Sequence, residues 1–398
     1  MRSILFAAIV AATASLAAAS TATAETVRFW YHFDNADNPM STLVETFEAK
    51  NPGIKIEAEN IPWNSYYDSL YTAVAAGSGP DAAMVKMFAQ PRLIEMGALE
   101  PIGDRVASWA GKADIQDNLF DLTKGNDGKT YYMPVQYVAL YLYYRADLFK
   151  EAGLAPPETC ADFRNAAMTL SKGDTYGFGF RGGKGGHDHW ASLVLATGAN
   201  FGPGGMTSDS AVAATQFVVD LFEKDKAFPP SAPNDGFKEI TGTFKSGKTA
   251  MTIHHIGSSK SMVEALGDKV SATVVPKCGG GRWTAFGDES TAVFAAAQDK
   301  DAAWKWITFL SSAGNNAEFN KATGQLPVTK SDSATWSLHE KRFVDATIKS
   351  LPFAGLLPNV SQTSDFVNTV WPINMQRALT GEITAAQMNA EIDKLYNK

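Results

Sequence analysis

Residues 51–87 are NPGIKIEAENIPWNSYYDSLYTAVAAGSGPDAAMVKM, a stretch that predicts a strand, a helix and a second strand in succession. The first strand is Ile54-Lys55-Ile56, and apolar side chains at i, i+3, i+4 and i+7 place the helix at Ser65–Ala76. Gly77-Ser78-Gly79-Pro80 ends this helix, and Ala82–Met87 is the second strand. Strands and helices that alternate at this spacing predict an α/β fold with largely parallel sheets and right-handed crossovers.

The same alternation extends in both directions along the chain. Thr26–Trp30 alternates polar and apolar residues as a strand does, and Asn38-Pro39 begins a helix. Tyr131–Tyr144 is apolar at nearly every position, which predicts one strand, buried on both faces, that crosses between two lobes. Further strands are predicted at Ala250–Ile253, Val270–Val275 and Thr291–Ala296. The C-terminal third is predicted to be helical.

The composition is that of an ordinary globular protein. Of the 398 residues 45% are hydrophobic, and the net charge is −7. At ~100–200 residues per domain, this length predicts two or three domains. A mildly acidic chain without a basic stripe argues against nucleic acid and anionic membranes as partners. Two cysteines are too few to hold a chain of this length together, so a disulfide scaffold is excluded.

The N-terminal segment, residues 1–24, predicts a cleavable secretory signal. Arg2 precedes an apolar run from Ile4 to Leu16, and Ala22-Thr23-Ala24 is the predicted cleavage site. The alternative is a transmembrane anchor, but the run is shorter than the ~20 residues that a bilayer requires. The sequence therefore predicts an exported, soluble protein that is located in the periplasm.

Two glycine motifs match nucleotide-binding patterns in the wrong context. Gly242–Thr249 fits the phosphate-loop pattern, but a helix is predicted before it and a strand after it, the reverse of the order that the motif requires. Gly177–Gly182 fits the dinucleotide fingerprint, yet further glycines follow where a helix should begin. We interpret the second motif as a strand that runs into a flexible loop. Neither motif predicts a nucleotide site.

The cysteines and histidines leave alternatives open. Cys160 and Cys278 either form one disulfide or remain free thiols, since spacing alone does not bring them together. Five of the six histidines lie in polar stretches next to predicted strand ends, and three of these, His187, His189 and His255, could form a zinc site. Cysteine or glutamate partners at metal-ligand spacing are missing, which favours hydrogen bonding to hydroxyls or the capping of helices instead.

Aromatic residues cluster in the same stretches, as in Trp30–Phe33 and around Trp63. Flat aromatic faces beside carboxylates, amides and imidazoles suit a polyol, which has apolar C–H faces and hydroxyl edges. Because ligands of α/β sheets gather at the carboxyl ends of the strands, these loops predict one shared binding site.

A series of motifs along the chain resembles the extracellular solute-binding proteins of ABC importers, carbohydrate class, similar to maltose-binding and glycerol-3-phosphate-binding proteins. The motifs are Phe29-Trp30, Asn51–Ile56, Ala75–Asp81, Gly128–Tyr131, Leu142–Phe149, Glu151–Leu154, Phe244–Met251, Thr323–Val328 and Leu357–Val360. The resemblance implies a two-lobed periplasmic-binding-protein fold, each lobe a mostly parallel sheet flanked by helices. It also implies a monomer without cofactor or catalysis that delivers a carbohydrate to membrane permease subunits.

In this family the ligand lies in a cleft between lobes that close around it by a hinge. The resemblance implies an N-terminal lobe of residues 25–136 and 284–326, and a C-terminal lobe of residues 137–283 and 327–398. It places the ligand-binding residues at Trp30, His32, Asp34, Trp63, Tyr66, Lys86, Met87, Tyr137, His187, His255, Gly257, Asp288, Glu289 and Gln325.

The departures from the family pattern indicate the kind of ligand. Asp288 and Glu289 stand where the family usually has small residues, and Gln325 stands where it often has an aromatic residue. Val367 stands where the maltose receptor has a tryptophan, which disfavours a long oligosaccharide. Two carboxylates would repel a phosphate, so we expect a neutral mono- or small oligosaccharide or a sugar alcohol. The alternatives are an exported glycoside hydrolase that uses two of Asp34, Asp288 and Glu289, and the zinc receptor.

Overall fold

The computed structural model describes residues 24–33, 38–117 and 119–397. The predicted signal lies outside these residues except for its last position, and Asp34 lies outside them as well. The strands are β1 (Glu25–Tyr31), β2 (Ile54–Asn60), β3 (Ala82–Val85), β4 (Tyr132–Ala139), β5 (Tyr141–Arg145), β6 (Tyr176–Phe178), β7 (Thr249–His254), β8 (Val270–Thr273), β9 (Thr284–Val293), β10 (Leu326–Pro327) and β11 (Ala354–Gly355).

Helices flank these strands along the whole described chain. They are α1 (Met40–Lys50), α2 (Trp63–Ala75), α3 (Gln90–Glu95), α4 (Gly103–Ser108), α5 (Leu119–Leu122), α6 (Ala146–Glu151), α7 (Cys160–Leu170), α8 (His187–Val194), α9 (Asp209–Glu223), α10 (Phe237–Lys245), α11 (Ser259–Leu266), α12 (Lys300–Leu310), α13 (Asn315–Thr323), α14 (Lys330–Ala334), α15 (Lys341–Ser350), α16 (Gln362–Asp365), α17 (Trp371–Leu379) and α18 (Ala385–Tyr396). A π-helical turn, Phe366–Val370, joins α16 to α17. Among the described residues, no helix is both long and apolar enough to cross a membrane.

The strands form two sheets, each of which is the centre of one lobe. The first lobe has a seven-stranded sheet in the order β10-β4-β9-β3-β1-β2, with β11 paired to β9. The second lobe has a four-stranded sheet in the order β6-β7-β5-β8. The predicted α/β, two-lobed class is confirmed. The sequence boundaries of the lobes stay a prediction.

The prediction of mostly parallel sheets is wrong, because both sheets are mixed. β1 is parallel to β2 and β3, as the strand–helix–strand stretch predicts. β9, however, is antiparallel to both β3 and β4. It belongs to a distant part of the chain that returns through the middle of the first sheet in the opposite direction. In the second sheet only β6 and β7 are parallel.

The apolar run Tyr131–Tyr144 crosses between the lobes as predicted, but it is two strands and not one. β4 belongs to the first sheet and β5 to the second. Leu140 separates them, and its backbone carbonyl accepts a 3.0 Å hydrogen bond from the Thr284 hydroxyl. Both strands are buried on both faces, so the hydrophobic pattern does not show where one sheet ends and the next begins.

The remaining boundaries differ where polar residues interrupt or extend an apolar pattern. The strand predicted at Thr291–Ala296 is β9, which begins seven residues earlier, because the charged pair Asp288-Glu289 hides its first half. The strand predicted at Ala82–Met87 ends at Val85. Both glycine motifs have the predicted context: residues 242–249 lead from α10 into β7, and β6 is followed by a loop before α8 begins.

Each lobe has its own apolar core. Trp306 is fully buried among β1, α1 and α12 in the first lobe, and Trp190 and Trp371 are fully buried in the second. Cys160 and Cys278 form a disulfide in the second lobe, with Cα atoms 5.2 Å apart. Of the two states that the sequence left open, the structure therefore shows the disulfide.

Candidate functional site

A cavity of about 430 Å³ lies between the two sheets. The carboxyl ends of β1 and β3 supply His32 and Lys86, and the start of α2 supplies Trp63. The opposite side comes from the second lobe, where His187 begins α8 and His255 follows β7. The site is thus where ligands of α/β sheets are expected, at strand ends and between lobes.

A buried carboxylate is the centre of the first-lobe side. Glu289 is 5% exposed, and its Oε1 lies 2.7 Å from Lys86 Nζ. Its second oxygen, Oε2, lies 3.3 Å from His32 Nε2. We call His32, Trp63, Lys86 and Glu289 the charged wall. The Glu289 carboxylate and the Lys86 ammonium neutralise each other locally.

The charge of Lys86 decides the protonation of Glu289. Burial by itself would raise the pKa of Glu289, but the nearby Lys86 ammonium and His32 outweigh it and lower the pKa to about 2. The carboxyl is therefore ionised at neutral pH and accepts hydrogen bonds only. A group without a proton cannot serve as the general acid of a glycoside hydrolase.

Aromatic rings hold the charged wall in place. The Lys86 ammonium lies 5.2 Å from the centre of the Trp63 ring, a cation–π arrangement. The His32 ring packs against Trp63 and Tyr66, with centroids 4.8 Å and 4.7 Å away. The Tyr66 hydroxyl donates to the backbone carbonyl of Met84 at 2.6 Å, behind the cavity. Tyr66 therefore supports the wall and does not line the cavity.

Histidines dominate the second-lobe side. Burial lowers the pKa of His187 and His255, and it lowers the pKa of His254 to about 3. The guanidinium of Arg181 adds to this effect, because its positive charge disfavours imidazolium ions nearby. We call His187, His254, His255 and Arg181 the histidine wall. Its imidazoles are neutral at neutral pH, so each has one donor and one acceptor.

The structure brings together eight of the predicted site residues and separates others. The cavity is lined by His32, Trp63, Lys86, Met87, His187, His255, Glu289 and Gln325. Tyr66 is fully buried behind it. Gly257 donates its backbone N–H to His255 Nδ1 at 3.1 Å and also lies behind the lining. Asp34 is outside the described residues, and the structure describes only the backbone of Asp288.

Two further predicted residues do not line the cavity. Trp30 is partly buried and packs with the core of the first lobe. Tyr137 pairs in register with Asp288 on β9, and its ring stacks on Phe286 at 6.3 Å. Successive side chains of a strand point to opposite faces of the sheet, and Trp30 on β1 and Tyr137 on β4 point away from the cavity. The family resemblance, which placed both residues in the site, did not take this alternation into account.

The sequence did not predict Arg181 or Phe237 as site residues, and both line the cavity. Arg181 lies in the glycine-rich loop after β6, where no periodicity indicates which way a side chain points. Its position three residues beyond the end of β6 was the one available signal. Trp283, another lining residue, directly precedes β9.

The histidines do not form a zinc site in the described part of the chain. Within residues 24–33, 38–117 and 119–397, no group of three or more His, Cys, Asp or Glu side chains has a metal-binding arrangement. His189, one of the three proposed ligands, accepts a 3.3 Å hydrogen bond from the Arg181 backbone through Nδ1. That contact occupies the nitrogen lone pair that a metal would require.

Direct contacts join the two lobes beside the cavity. Lys184 of the second lobe reaches Asp68 on α2 at 2.9 Å. Arg92 on α3 pairs with Asp365 on α16 at 2.6 Å, and the Tyr71 hydroxyl lies 2.6 Å from Ser364 Oγ. Any opening wide enough to admit a ligand on these sides must separate these pairs.

Comparison with known proteins identifies the family. The model of the bacterial extracellular solute-binding protein family matches residues 34–317. The mannitol-binding protein of Pseudomonas aeruginosa is 25% identical over 386 residues, which cover 87% of each chain. An ABC transporter solute-binding protein from Thermotoga lettingae, solved with α-D-tagatose, has a TM-score of 0.83 at 23% identity and covers 94% of this chain and 100% of that one. One from Agrobacterium radiobacter K84, in complex with ribitol, has a TM-score of 0.83 at 20% identity and covers 93% and 97%.

The family match spans well over half of the chain, and the structural matches span almost all of the described fold. The two-lobed architecture and the cavity between its sheets agree with that assignment. The protein belongs to the bacterial extracellular solute-binding protein family, which consists of receptors and not of enzymes.

Proposed function

We propose that this protein is the periplasmic receptor of an ABC importer for a small neutral sugar or sugar alcohol. The observation that carries the proposal is the buried Glu289 carboxylate, kept ionised beside Lys86 at the cavity between the lobes. An ionised carboxylate is a strong acceptor for ligand hydroxyls. Because Lys86 compensates its charge, the pair suits a ligand that has no charge of its own.

The size of the cavity supports a small ligand. About 430 Å³ lies toward the lower end of the ~300–1,000 Å³ that small-molecule sites occupy. That space accommodates a monosaccharide, a hexitol or a short oligosaccharide. The fully buried core residue Val367 provides no aromatic platform for a longer chain of sugars.

The chemistry of the lining supports a polyol. Glu289 accepts hydrogen bonds, while the neutral imidazoles of His187 and His255 both donate and accept. Trp63 and Trp283 add flat apolar faces for the C–H groups of a sugar. Of the two tryptophans predicted to bind the ligand, Trp63 is the better supported, because Trp30 packs in the core.

Relatives support the same class of ligand. The relative from Pseudomonas aeruginosa is named for mannitol, and the two similar structures hold tagatose and ribitol. We infer that binding brings the lobes, residues 25–136 with 284–326 and residues 137–283 with 327–398, into the closed arrangement that permease subunits recognise. The contacts Lys184–Asp68 and Arg92–Asp365 stabilise that arrangement.

Intrinsic tryptophan fluorescence tests the proposal, because Trp63 and Trp283 line the cavity. We expect saturable changes when the purified protein is titrated with at least one of D-mannitol, ribitol, D-tagatose and maltose. Trp63→Phe should reduce the signal, whereas Trp304→Phe, on α12 away from the cavity, should leave its ligand-dependent part unchanged. A folded sample that responds to no neutral sugar or polyol would contradict the proposal.

A further inference from the structure

We infer that Gln325, together with the backbone of Gly257, is a positioning residue that fixes His255 as a hydrogen-bond donor to the ligand. The inference rests on the proposed function, because it assigns a role to one ligand-contacting side chain. It goes beyond the assignment of Gln325 and Gly257 as direct ligand contacts.

The hydrogen bonds at His255 determine which ring nitrogen has the proton. The Gly257 backbone N–H lies 3.1 Å from His255 Nδ1, and a backbone N–H can only donate. Nδ1 must therefore be the acceptor and has no proton. Gln325 Nε2 lies 3.0 Å from the same nitrogen, so the Gln325 amide must also present its NH₂ group there.

A neutral imidazole that accepts at Nδ1 has its proton on Nε2, at the other edge of the ring. Burial keeps His255 neutral, and the nearby Lys86 and Arg181 charges act in the same direction. His254, whose ring centre is 4.2 Å away, is neutral as well. Since His255 lines the cavity, its Nε2–H is the donor that remains for a ligand oxygen.

Two glycines make this contact possible. A Cβ atom at Gly257 would lie 2.7 Å from Gln325 Nε2 and 2.9 Å from His255 Nδ1, where a carbon atom does not fit. A Cβ atom at Gly324 would lie 2.7 Å from the Gly257 carbonyl oxygen, and Gly324 has a φ of +70°. The two turns therefore approach each other backbone to backbone, which places Gln325 against the imidazole.

The contact also joins the two lobes. His255 follows β7 in the second sheet, and Gln325 precedes β10 in the first. Gln325 can reach His255 Nδ1 only while the ends of these two strands are together. The first lobe thereby adds a second donor at the nitrogen that Gly257, of the second lobe, already holds as an acceptor.

Nuclear magnetic resonance of histidine-labelled protein tests the assignment without a ligand. Long-range ¹H–¹⁵N correlation distinguishes a protonated Nε2 from a protonated Nδ1 in neutral imidazole. We expect His255 in the wild-type protein to be the Nε2–H tautomer at pH 7. His254 is the internal control, because its Nδ1 pairs with the Ser258 hydroxyl at 2.9 Å and has no contact with Gln325 in the hydrogen bonds described.

Two variants of similar length separate positioning from packing. Gln325→Glu keeps the shape but replaces the donor by a carboxylate, which should raise the pKa of His255 and move its proton toward Nδ1. Gln325→Met removes the amide but leaves the Gly257 N–H, so the Nε2–H tautomer should persist. In D-mannitol titrations we expect Gln325→Glu to weaken binding about tenfold and Gln325→Met about threefold.

The outcomes are distinguishable. An Nδ1–H tautomer in the wild-type protein, or a His255 signal unchanged by Gln325→Glu, would overturn the assignment whatever the ligand is. A larger loss of binding in Gln325→Met than in Gln325→Glu would show that Gln325 acts through packing, which also overturns it. If the Nε2–H tautomer is found but no sugar or polyol binds, the proposed function fails and the donor role fails with it.

Discussion

The two walls of the cavity fix the protonation of their titratable side chains in different ways. The charged wall pairs an ionised carboxylate, Glu289, with the Lys86 ammonium 2.7 Å away. The histidine wall has neutral imidazoles, His187 and His255 among them, that burial and the Arg181 charge keep unprotonated. The ionised state of Glu289 depends on a charged partner, whereas the neutral state of the imidazoles depends on the exclusion of water.

This difference shows how one cavity can supply both strong and adaptable hydrogen bonds. A carboxylate gives short, strong bonds to hydroxyl groups but requires a compensating charge. A neutral imidazole gives weaker bonds but offers a donor and an acceptor in the same ring. A polyol with several hydroxyl groups can form both kinds of hydrogen bond. The following predictions test the two walls separately and compare them with a contact that belongs to neither.

Removing the charge of Glu289 should have the largest effect on the affinity for the ligand. Glu289→Gln removes the ionised partner of the Lys86 ammonium and the strong acceptor for ligand hydroxyls, so we expect the dissociation constant for the sugar or polyol to rise about 100-fold. Calorimetric titration measures this change. Glu391→Gln, on the exposed side of α18, is the matched control and should leave the affinity unchanged.

The pH dependence of stability should separate the two walls. Unfolded histidines take up protons near their ordinary pKa of ~6.5, but His187, His254 and His255 in the folded state do not. Stability should therefore fall as the pH drops from about 6.5 to 5, by up to about 1.4 kcal/mol per pH unit for each histidine. The lowered pKa of Glu289 acts in another window, because its contribution is present above about pH 4.5 and is lost toward pH 2.

Urea denaturation at a series of pH values measures these slopes. His187→Gln should reduce the slope between pH 6.5 and 5, while Glu289→Gln should leave that slope unchanged and flatten the region below pH 4.5. Equal effects of both variants in both windows would contradict the division into two walls.

Trp63 should have a smaller effect than Glu289 on the same wall. Its ring covers the Lys86 ammonium at 5.2 Å and offers a face to the ligand. Trp63→Leu loses both contacts but keeps an apolar side chain, so we expect about a tenfold loss of affinity. Trp63→Phe should restore most of it. Fluorescence competition or calorimetry measures the two constants.

The contact between Lys184 and Asp68 should have the smallest effect on the affinity for the ligand. Lys184 is half-buried and Asp68 is exposed, with side-chain exposures of 35% and 65%, and ion pairs at the surface contribute little. Lys184→Ala should therefore change the dissociation constant less than threefold, and added salt should reduce the difference further. A loss of affinity as large as that of Glu289→Gln would show that closure of the lobes depends on the Lys184–Asp68 contact beside the cavity and not on the two walls.

Sequence reasoning located the loops of the site but not the direction of each side chain. His32, Trp63 and Lys86 follow strand ends that the alternation of elements already brings together, so the pattern predicts their meeting. Trp30 and Tyr137 lie within strands, where a shift of one residue turns a side chain to the other face. Arg181 was missed because a glycine-rich loop has no periodicity.

The mixed sheets show a second limit of what can be predicted from the sequence. The parallel pairing of β1, β2 and β3 follows from a local strand–helix–strand pattern. The direction of β9 depends on how a segment two hundred residues later returns from the other lobe, which no local pattern records. The charged pair Asp288-Glu289 made the same strand hard to recognise, although Glu289 is the central residue of the site.

The most direct test of the central claim compares two ligands that differ in one charged group. Calorimetric titration of the wild-type protein with D-mannitol and with D-mannitol 1-phosphate poses the question of whether the cavity prefers a neutral ligand. With Lys86 already paired to Glu289, we predict measurable binding of D-mannitol and at least a tenfold weaker interaction with its phosphate. Equal or tighter binding of the phosphate would contradict the account.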